Sequence, residues 1–161
     1  MVDYDFSTKK KKKFKYSTPM GMVRPNCSFA ACSNGFILQS PSAEGATLAV
    51  IEVAKACWSP TSTSILKGNF HPWCFCHDEI LGDVIADPVI ATQVAEELER
   101  IMCECLQKVL PNITCAADSA LQTMWDKNAE DEYDVDGNMI PWQVTKNEDL
   151  AKELKWKKKG A

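Results

Sequence analysis

The sequence predicts an α+β fold in which a small antiparallel sheet, built around one β-hairpin, is covered on one face by two helices. Three observations carry this reading. Two stretches place apolar residues at three- and four-residue steps, two short apolar runs flank an acidic turn, and the order is helix, hairpin, helix, strand. The 161 residues are 45% hydrophobic and 25% charged, the balance of a soluble globular chain. A body of this length has a radius of gyration of roughly 15 Å, enough for one core without staples.

The first helix is expected to begin with Ser40 as N-cap, Pro41 at the first helical position and Glu44 in the first turn, where the helix dipole favours an anion. Ala43, Ala46, Val50, Val53, Ala54 and Cys57 then form one apolar stripe, and the helix ends near Trp58, before Ser59-Pro60. Residues 73–77 and 80–85 read as the two strands of the hairpin, with Asp78 and Glu79 between them. Asp87-Pro88 supplies a second cap, and Ile90, Val94, Leu98, Ile101, Cys105 and Val109 draw an unbroken stripe that Pro111 ends. Alternation of Ile113, Cys115 and Ala117 with polar or small neighbours predicts a last strand. The tail from Asn128 onward is polar and lysine-rich, with one short helix over 148–156.

Eight cysteines accompany no export signal, and no apolar run approaches the roughly 20 residues that cross a bilayer, so the expectation is reduced thiols, no membrane and a cytoplasmic chain. Cys103 and Cys105 sit two apart in a helical pattern and therefore on different faces, which argues against a ligand pair. Charge is uneven: residues 1–24 are net +5, 25–130 net −8 and 131–161 net −1. A net acidic chain is no general polyanion binder, so contact with nucleic acid must be local. Lys9, Lys10, Lys11, Lys12, Lys13 and Lys15 supply the candidate patch, and Phe14 and Tyr16 among them offer rings that stack on bases. A solvated lysine tail is the bland reading of the same run.

The sharpest chemical feature is His77-Asp78-Glu79 at the hairpin tip. Adjacent carboxylates repel, and a simple two-residue turn prefers Asn-Gly or Asp-Gly. The arrangement becomes favourable beneath a divalent cation, since Mg²⁺ takes one or two carboxylates with water and phosphate oxygens. A rival donor set, His71, Cys74, Cys76 and His77, has the chemistry zinc favours, but strand alternation sends the donors to opposite faces. The run Glu132-Tyr133-Asp134-Val135-Asp136-Gly137 has a faint calcium-loop look, yet it starts with Glu and ends on Gln143, and Pro141 interrupts it, so it reads as a polar turn.

Gln39-Ser40-Pro41-Ser42-Ala43-Glu44-Gly45-Ala46, then His77-Asp78-Glu79, then the helix from Asp87, the strand from Asn112, and Trp125 form an ordered set. In order and spacing it resembles the C-terminal palm segment of family A DNA polymerases, the DNA polymerase I type, in a phage-like and split form. The resemblance covers residues 18–126, about two thirds of the chain, between a basic arm at 1–17 and a polar extension at 127–161.

The resemblance implies a DNA-directed DNA polymerase that works in DNA replication by two-metal nucleotidyl transfer. Asp78 would be the second metal-binding carboxylate for Mg²⁺ and Glu79 its helper, with His77 at the primer terminus. Gln39 would touch the minor groove of the primer-template, and Arg24 its backbone. Partners would be primer-template DNA, deoxynucleoside triphosphates and an upstream chain, in the host cytoplasm if phage-encoded. The pattern also departs from the family. Met22 stands where a Gly-Arg pair is usual, Thr47 stands where many members have Lys, and the interval from Asn34 to Gln39 is five residues where the family usually has four. The first catalytic Asp, the fingers residues and the thumb have no counterpart here, so the resemblance implies a segment inactive by itself. The alternative from another class is a non-catalytic DNA-binding accessory protein that keeps the basic arm, or a small zinc-binding module.

Overall fold

The computed structural model describes residues 4–5, 10–11, 13–35 and 39–142, the first two pairs as backbone only. Two short ladders come first. β1 (Tyr4–Asp5) pairs antiparallel with β2 (Lys10–Lys11), and β3 (Phe14–Ser17) pairs with β4 (Val23–Cys27). Gly21 makes the turn of the second ladder possible: its φ of 91° lies in the region that glycine alone enters freely, and its N–H donates to the Thr18 carbonyl. A short helix absent from the sequence expectation comes next, α1 (Phe29–Asn34), capped by the Ser28 hydroxyl, which accepts the Ala31 N–H.

The two long helices are α2 (Ser40–Trp58) and α3 (Pro88–Val109), with β5 (Phe70–Cys76) and β6 (Glu79–Val84) between them. α3 begins as expected, with the Asp87 carboxylate accepting from the N–H groups of Val89 and Ile90. α2 covers the expected span but starts differently. Gln39 rather than Ser40 occupies the cap position, in helical conformation and without a side-chain cap bond. Ser40 is already inside the helix, where its hydroxyl meets the Tyr16 hydroxyl at 3.4 Å. Glu44 accordingly lies beyond the first turn and is buried. Its carboxylate accepts the Thr18 hydroxyl and, at 3.3 Å, the Met20 N–H, so it anchors the β3–β4 turn rather than answering the helix dipole.

The buried face of α2 is also displaced from the expected stripe. It runs through Pro41, Gly45, Ala49, Val53 and Cys57, at strict four-residue steps, while Ala46, Val50 and Ala54 are only half-buried and Ala43 is exposed. The reason is close packing: a methyl on Gly45 would stand 3.0 Å from Leu106 Cα, so small residues let α3 approach along that line. Ala49, Val53, Cys57, Leu66, Phe70, Val94, Ile101 and Cys105 form the core, with Leu66 wholly enclosed. Phe70 ties the second hairpin to it.

The predicted strand over residues 112–117 is not formed. That stretch is irregular, and the expected single sheet is instead a set of separate two-stranded ladders. Alternation of side chains fixes a strand only where a neighbouring edge offers backbone partners, and no edge accepts this segment. The chain beyond α3 instead folds back irregularly. The Met139 N–H donates to Thr92 Oγ1 on α3 at 2.8 Å, and the Trp142 N–H donates to the Leu121 carbonyl at 2.8 Å. The supposed calcium loop is a polar turn in which the Asp134 carboxylate accepts the N–H groups of Asp136 and Asn138. The helix expected over 148–156 lies outside the described residues. No helix among the described residues is long and apolar enough to cross a membrane.

Candidate functional site

The β5–β6 hairpin places the acidic turn. Its ladder pairs Phe75 with Ile80 and closes on Cys76 opposite Glu79, leaving His77 and Asp78 as a two-residue loop. His77 takes φ 57°, the left-handed region, which costs a residue with a Cβ on the order of 1–2 kcal/mol and is usually given to glycine. Further back, the register slips between Pro72 and Cys74. Pro72 has no N–H to give the ladder, and Trp73 is accommodated as the extra residue. Opposite, Gly82 lies flat against the Phe70 ring, where an added methyl would come within 2.4 Å of a ring carbon and 2.8 Å of the His71 carbonyl oxygen. The hairpin is thus fixed to the core at its base and free at its tip.

His77, Asp78 and Glu79 are all exposed. Glu79 has one directing contact: the Trp125 Nε1–H donates to its Oε2 at 3.4 Å. The stretch that carries Trp125 runs beside the hairpin, and between them, with α2 and α3 behind, lies an open groove of about 990 Å³. Asp78 and Glu79 line it at one end, Ser42, Gly45, Ala46 and Ala49 of α2 form part of its wall, and Leu98, Met102 and Leu106 of α3 form part of its floor. Gln39 is exposed at the start of α2, and the steps from 39 to 42, 46 and 49 keep to one side of a helix, so Gln39 stands at the end of the groove-lining face.

Arg24 is exposed on β4, opposite Tyr16. It belongs to the β3–β4 hairpin, which rests on the first turns of α2 through Tyr16, Thr18 and Met20, whereas the hairpin with the acidic turn rests on the core through Phe70. One helix therefore carries both hairpins. Among the basic residues, Lys13 and Lys15 are exposed, Lys10 and Lys11 form β2, and Lys9 and Lys12 lie outside the described residues. The aromatic rings expected to stack on bases are engaged internally. Phe14 packs edge-on against Phe29 with ring centroids 5.9 Å apart, and the Tyr16 hydroxyl reaches Ser40.

The zinc arrangement does not assemble. Cys74 and Cys76 are half-buried on one face of β5, His71 lies exposed on the other and His77 at the exposed tip, so the four donors do not converge. Among the described residues no three His, Cys, Asp or Glu side chains are gathered so as to hold a metal ion. All eight cysteines are free thiols, and burial pushes those of Cys57, Cys103 and Cys105 upward from the ordinary thiol range.

No protein-family model, no curated protein and no solved structure matches the chain.

Sequence reasoning missed several groove residues. Ser42 and Ala46 were accessible to it, since they lie at helical steps from Gln39. Asp118 and Asp126 line the same groove from the irregular stretch, where no periodic pattern marks an inward or outward position.

Proposed function

We propose that the chain is a palm segment of a family A type DNA polymerase, contributing the His77-Asp78-Glu79 turn to a nucleotidyl-transfer site that polypeptide outside these 161 residues completes. The observation that supports this reading best is the placement of the two adjacent carboxylates. They stand at an exposed, strained hairpin tip on the rim of an open groove rather than in a solvated loop away from any cavity.

Two carboxylates fit one share of a magnesium site and no more, because the ion completes its shell with water and phosphate oxygens. Asp78 would hold the ion and Glu79 would support it, with the Trp125 N–H restricting the Glu79 side chain. When bound, a pair of such ions supplies charge stabilisation to the attacking and leaving oxygens of phosphoryl transfer. His77, next to Asp78 at the tip, would donate a hydrogen bond to a primer end that enters the groove. Gln39 would meet the minor groove side of a duplex lying along α2, where acceptors are common to all base pairs. Arg24 and Lys15, on the β3–β4 hairpin that rests on the start of α2, and Lys13 just before it, would serve as backbone contacts for the same duplex. DNA, deoxynucleoside triphosphates and Mg²⁺ are the ligands this reading requires.

The accessory DNA-binding reading draws less support. It rests on the basic arm, and the aromatic rings among those lysines are occupied by Phe29 and Ser40. The experiment is primer extension by the chain combined with polypeptide carrying the missing catalytic Asp and fingers. Extension that requires Mg²⁺ and is lost in Asp78→Ala, with duplex affinity nearly unchanged, supports the polymerase reading. Extension indifferent to Asp78→Ala overturns it, and that indifference together with loss of affinity and salt slope on neutralising Lys13 and Lys15 favours the accessory reading.

A further inference from the structure

The chain leaving α3 turns back beside it at once. The Ile113 N–H donates to the Leu110 carbonyl at 3.2 Å, and beyond that turn Ala116, Ala117 and Asp118 line the same groove as Cys103 and Leu106 of α3. Burial alternates along the returning stretch. Cys115, Ala117 and Ser119 are half-buried, whereas Thr114, Ala116 and Asp118 are exposed, so the first three share the side turned toward the protein. An extended chain advances about 3.3 Å per residue and a helix about 1.5 Å, so about three residues retrace the roughly 10 Å from Cys103 to the turn. That sets Cys103 level with residues 115–117. The local electrostatics agree: the Cys103 thiol, pushed upward chiefly by burial, is raised further by its neighbour Cys115 and lies against the Ala117 backbone. The Cys115 thiol is held only by a weak sulfur bond to the Ile113 carbonyl at 3.5 Å.

We propose that Cys103 and Cys115 are an oxidation-sensitive pair that closes to a disulfide in the folded chain when it meets a small-molecule disulfide such as oxidised glutathione. Cysteines nearer in sequence are badly set for this. Cys103 and Cys105 leave different faces of α3, and Cys74 and Cys76 point the same way from β5, whereas a disulfide needs facing Cβ atoms about 3.5–4.5 Å apart. Cys115 attacks first, because burial holds back ionisation of Cys103. Its thiolate forms a bond to one sulfur of the reagent and displaces one glutathione thiolate. The Cys103 thiolate then attacks the Cys115 sulfur and displaces the other. Two protein thiols are thereby oxidised by two electrons, and the reagent is reduced to two thiols, which take up the two protons. The new bond ties to α3 the beginning of the groove wall that faces the β5–β6 hairpin, a wall otherwise fixed to the hairpin by the Trp125–Glu79 contact. The pairing does not depend on the polymerase reading.

The test incubates the full chain at low micromolar concentration with oxidised glutathione, quenches with acid and maps the unreduced peptides by mass spectrometry. The expected product is a monomer in which the Cys103 and Cys115 peptides are joined, formed about ten-fold or more faster than any other cysteine pair. In concentrated urea the pairs nearest in sequence compete, and the share of Cys103–Cys115 should fall by about five-fold or more. Cys115→Ser should leave Cys103 a free thiol, and Cys103→Ser should halt Cys115 at the mixed disulfide with glutathione. The proposal is overturned if the parent chain also halts at that mixed disulfide, if another pair or a linked dimer forms first, or if folded and unfolded chains give the same share.

Discussion

Gly45 of α2 and Leu106 of α3 define the closest approach of the two long helices: a methyl group on Gly45 would lie 2.6 Å from Leu106 Cδ1 and 3.0 Å from its Cα. The side chain can swing away, but the Cα cannot without moving α3. Replacing Gly45 with Ala has two opposed effects. Helix propensity favours Ala by up to about 1 kcal/mol, and overpacking a close-packed site costs about 1–3 kcal/mol. Because backbone is the second obstacle, overpacking should win, and Gly45→Ala is expected to lower stability by about 1–2 kcal/mol in urea unfolding. A raised midpoint would mean that the helices are not in this contact.

Thr18 is the corresponding link between the first hairpin and α2. Its hydroxyl donates to the buried Glu44 carboxylate and accepts the Met22 N–H at 3.0 Å. Thr18→Val keeps the shape and removes both bonds, leaving a carboxylate oxygen without its buried donor, at a cost of about 1.5–3 kcal/mol. Thr18→Ser should retain most of the stability. Equal losses in the two variants would assign the effect to packing instead of hydrogen bonding.

Much of this architecture was legible because its causes are local. Asp87-Pro88 capped α3 where expected, and the stripe from Ile90 to Val109 was correct because large apolar side chains mark the buried side of that helix directly. The hairpin around His77 was legible from the apolar runs that flank two acids. In α2 the same method chose the wrong line. The face that packs most tightly is carried by Gly45 and Ala49, whose role is the absence of bulk, which a hydrophobic pattern does not register. The strand expected over 112–117 failed for a non-local reason, since pairing depends on an edge elsewhere in the chain. At the site, the acidic turn and Gln39 were visible in sequence. The far rim, Asp118 and Asp126, became visible only when the irregular stretch was placed.

Glu97 provides a pH-dependent contribution whose sign is fixed. Its carboxylate accepts from Arg100 Nε at 2.7 Å and from the Ser64 hydroxyl at 3.1 Å, and the Arg100 hydrogen bond, with Ser64 adding, holds its pKa below the ordinary glutamate value of 4.5. A depressed carboxylate pKa stabilises the fold above the unfolded value and loses that contribution as pH falls through the folded one. Arg100 is half-exposed, so the gain is screened to about 0.5–1 kcal/mol. Arg100→Gln should therefore lower stability by that amount at pH 7 and converge on the parent chain once the pH has fallen through the depressed Glu97 pKa. A constant difference at both pH values would show that the ion pair is not its source.

The cysteines should divide by burial. Cys57 and Cys105 are enclosed in the core with their thiols pushed upward by desolvation, whereas Cys74, Cys76 and Cys115 are half-buried near the surface. Alkylation of the folded chain at about pH 7.5, read peptide by peptide, is expected to modify the second group at least ten-fold faster and the first only through unfolding. Added zinc should not protect Cys74 and Cys76, because the two histidines near them do not converge with them. Protection by one equivalent of zinc would restore a metal site at β5.

Asp78 and Glu79 should separate stability from function. Both are exposed side by side at the hairpin tip, where two negative charges repel and no core contact depends on them. Asp78→Asn is expected to change unfolding free energy by less than about 0.5 kcal/mol, with a slight gain as the expected sign because like-charge repulsion is relieved. If the proposed polymerase assembly forms, the same change should reduce its primer extension by about 100-fold or more, because removing a charge that the proposed metal would require affects the transition state by several kcal/mol. Glu79→Gln should be milder by about ten-fold, since Trp125 holds Glu79 and its amide can still accept that N–H. The two variants thus rank in activity as Asp78→Asn below Glu79→Gln while remaining equal in stability. If Asp78→Asn instead unfolds the chain, its carboxylate serves the hairpin itself, and the strained turn at His77 would need a purely structural explanation.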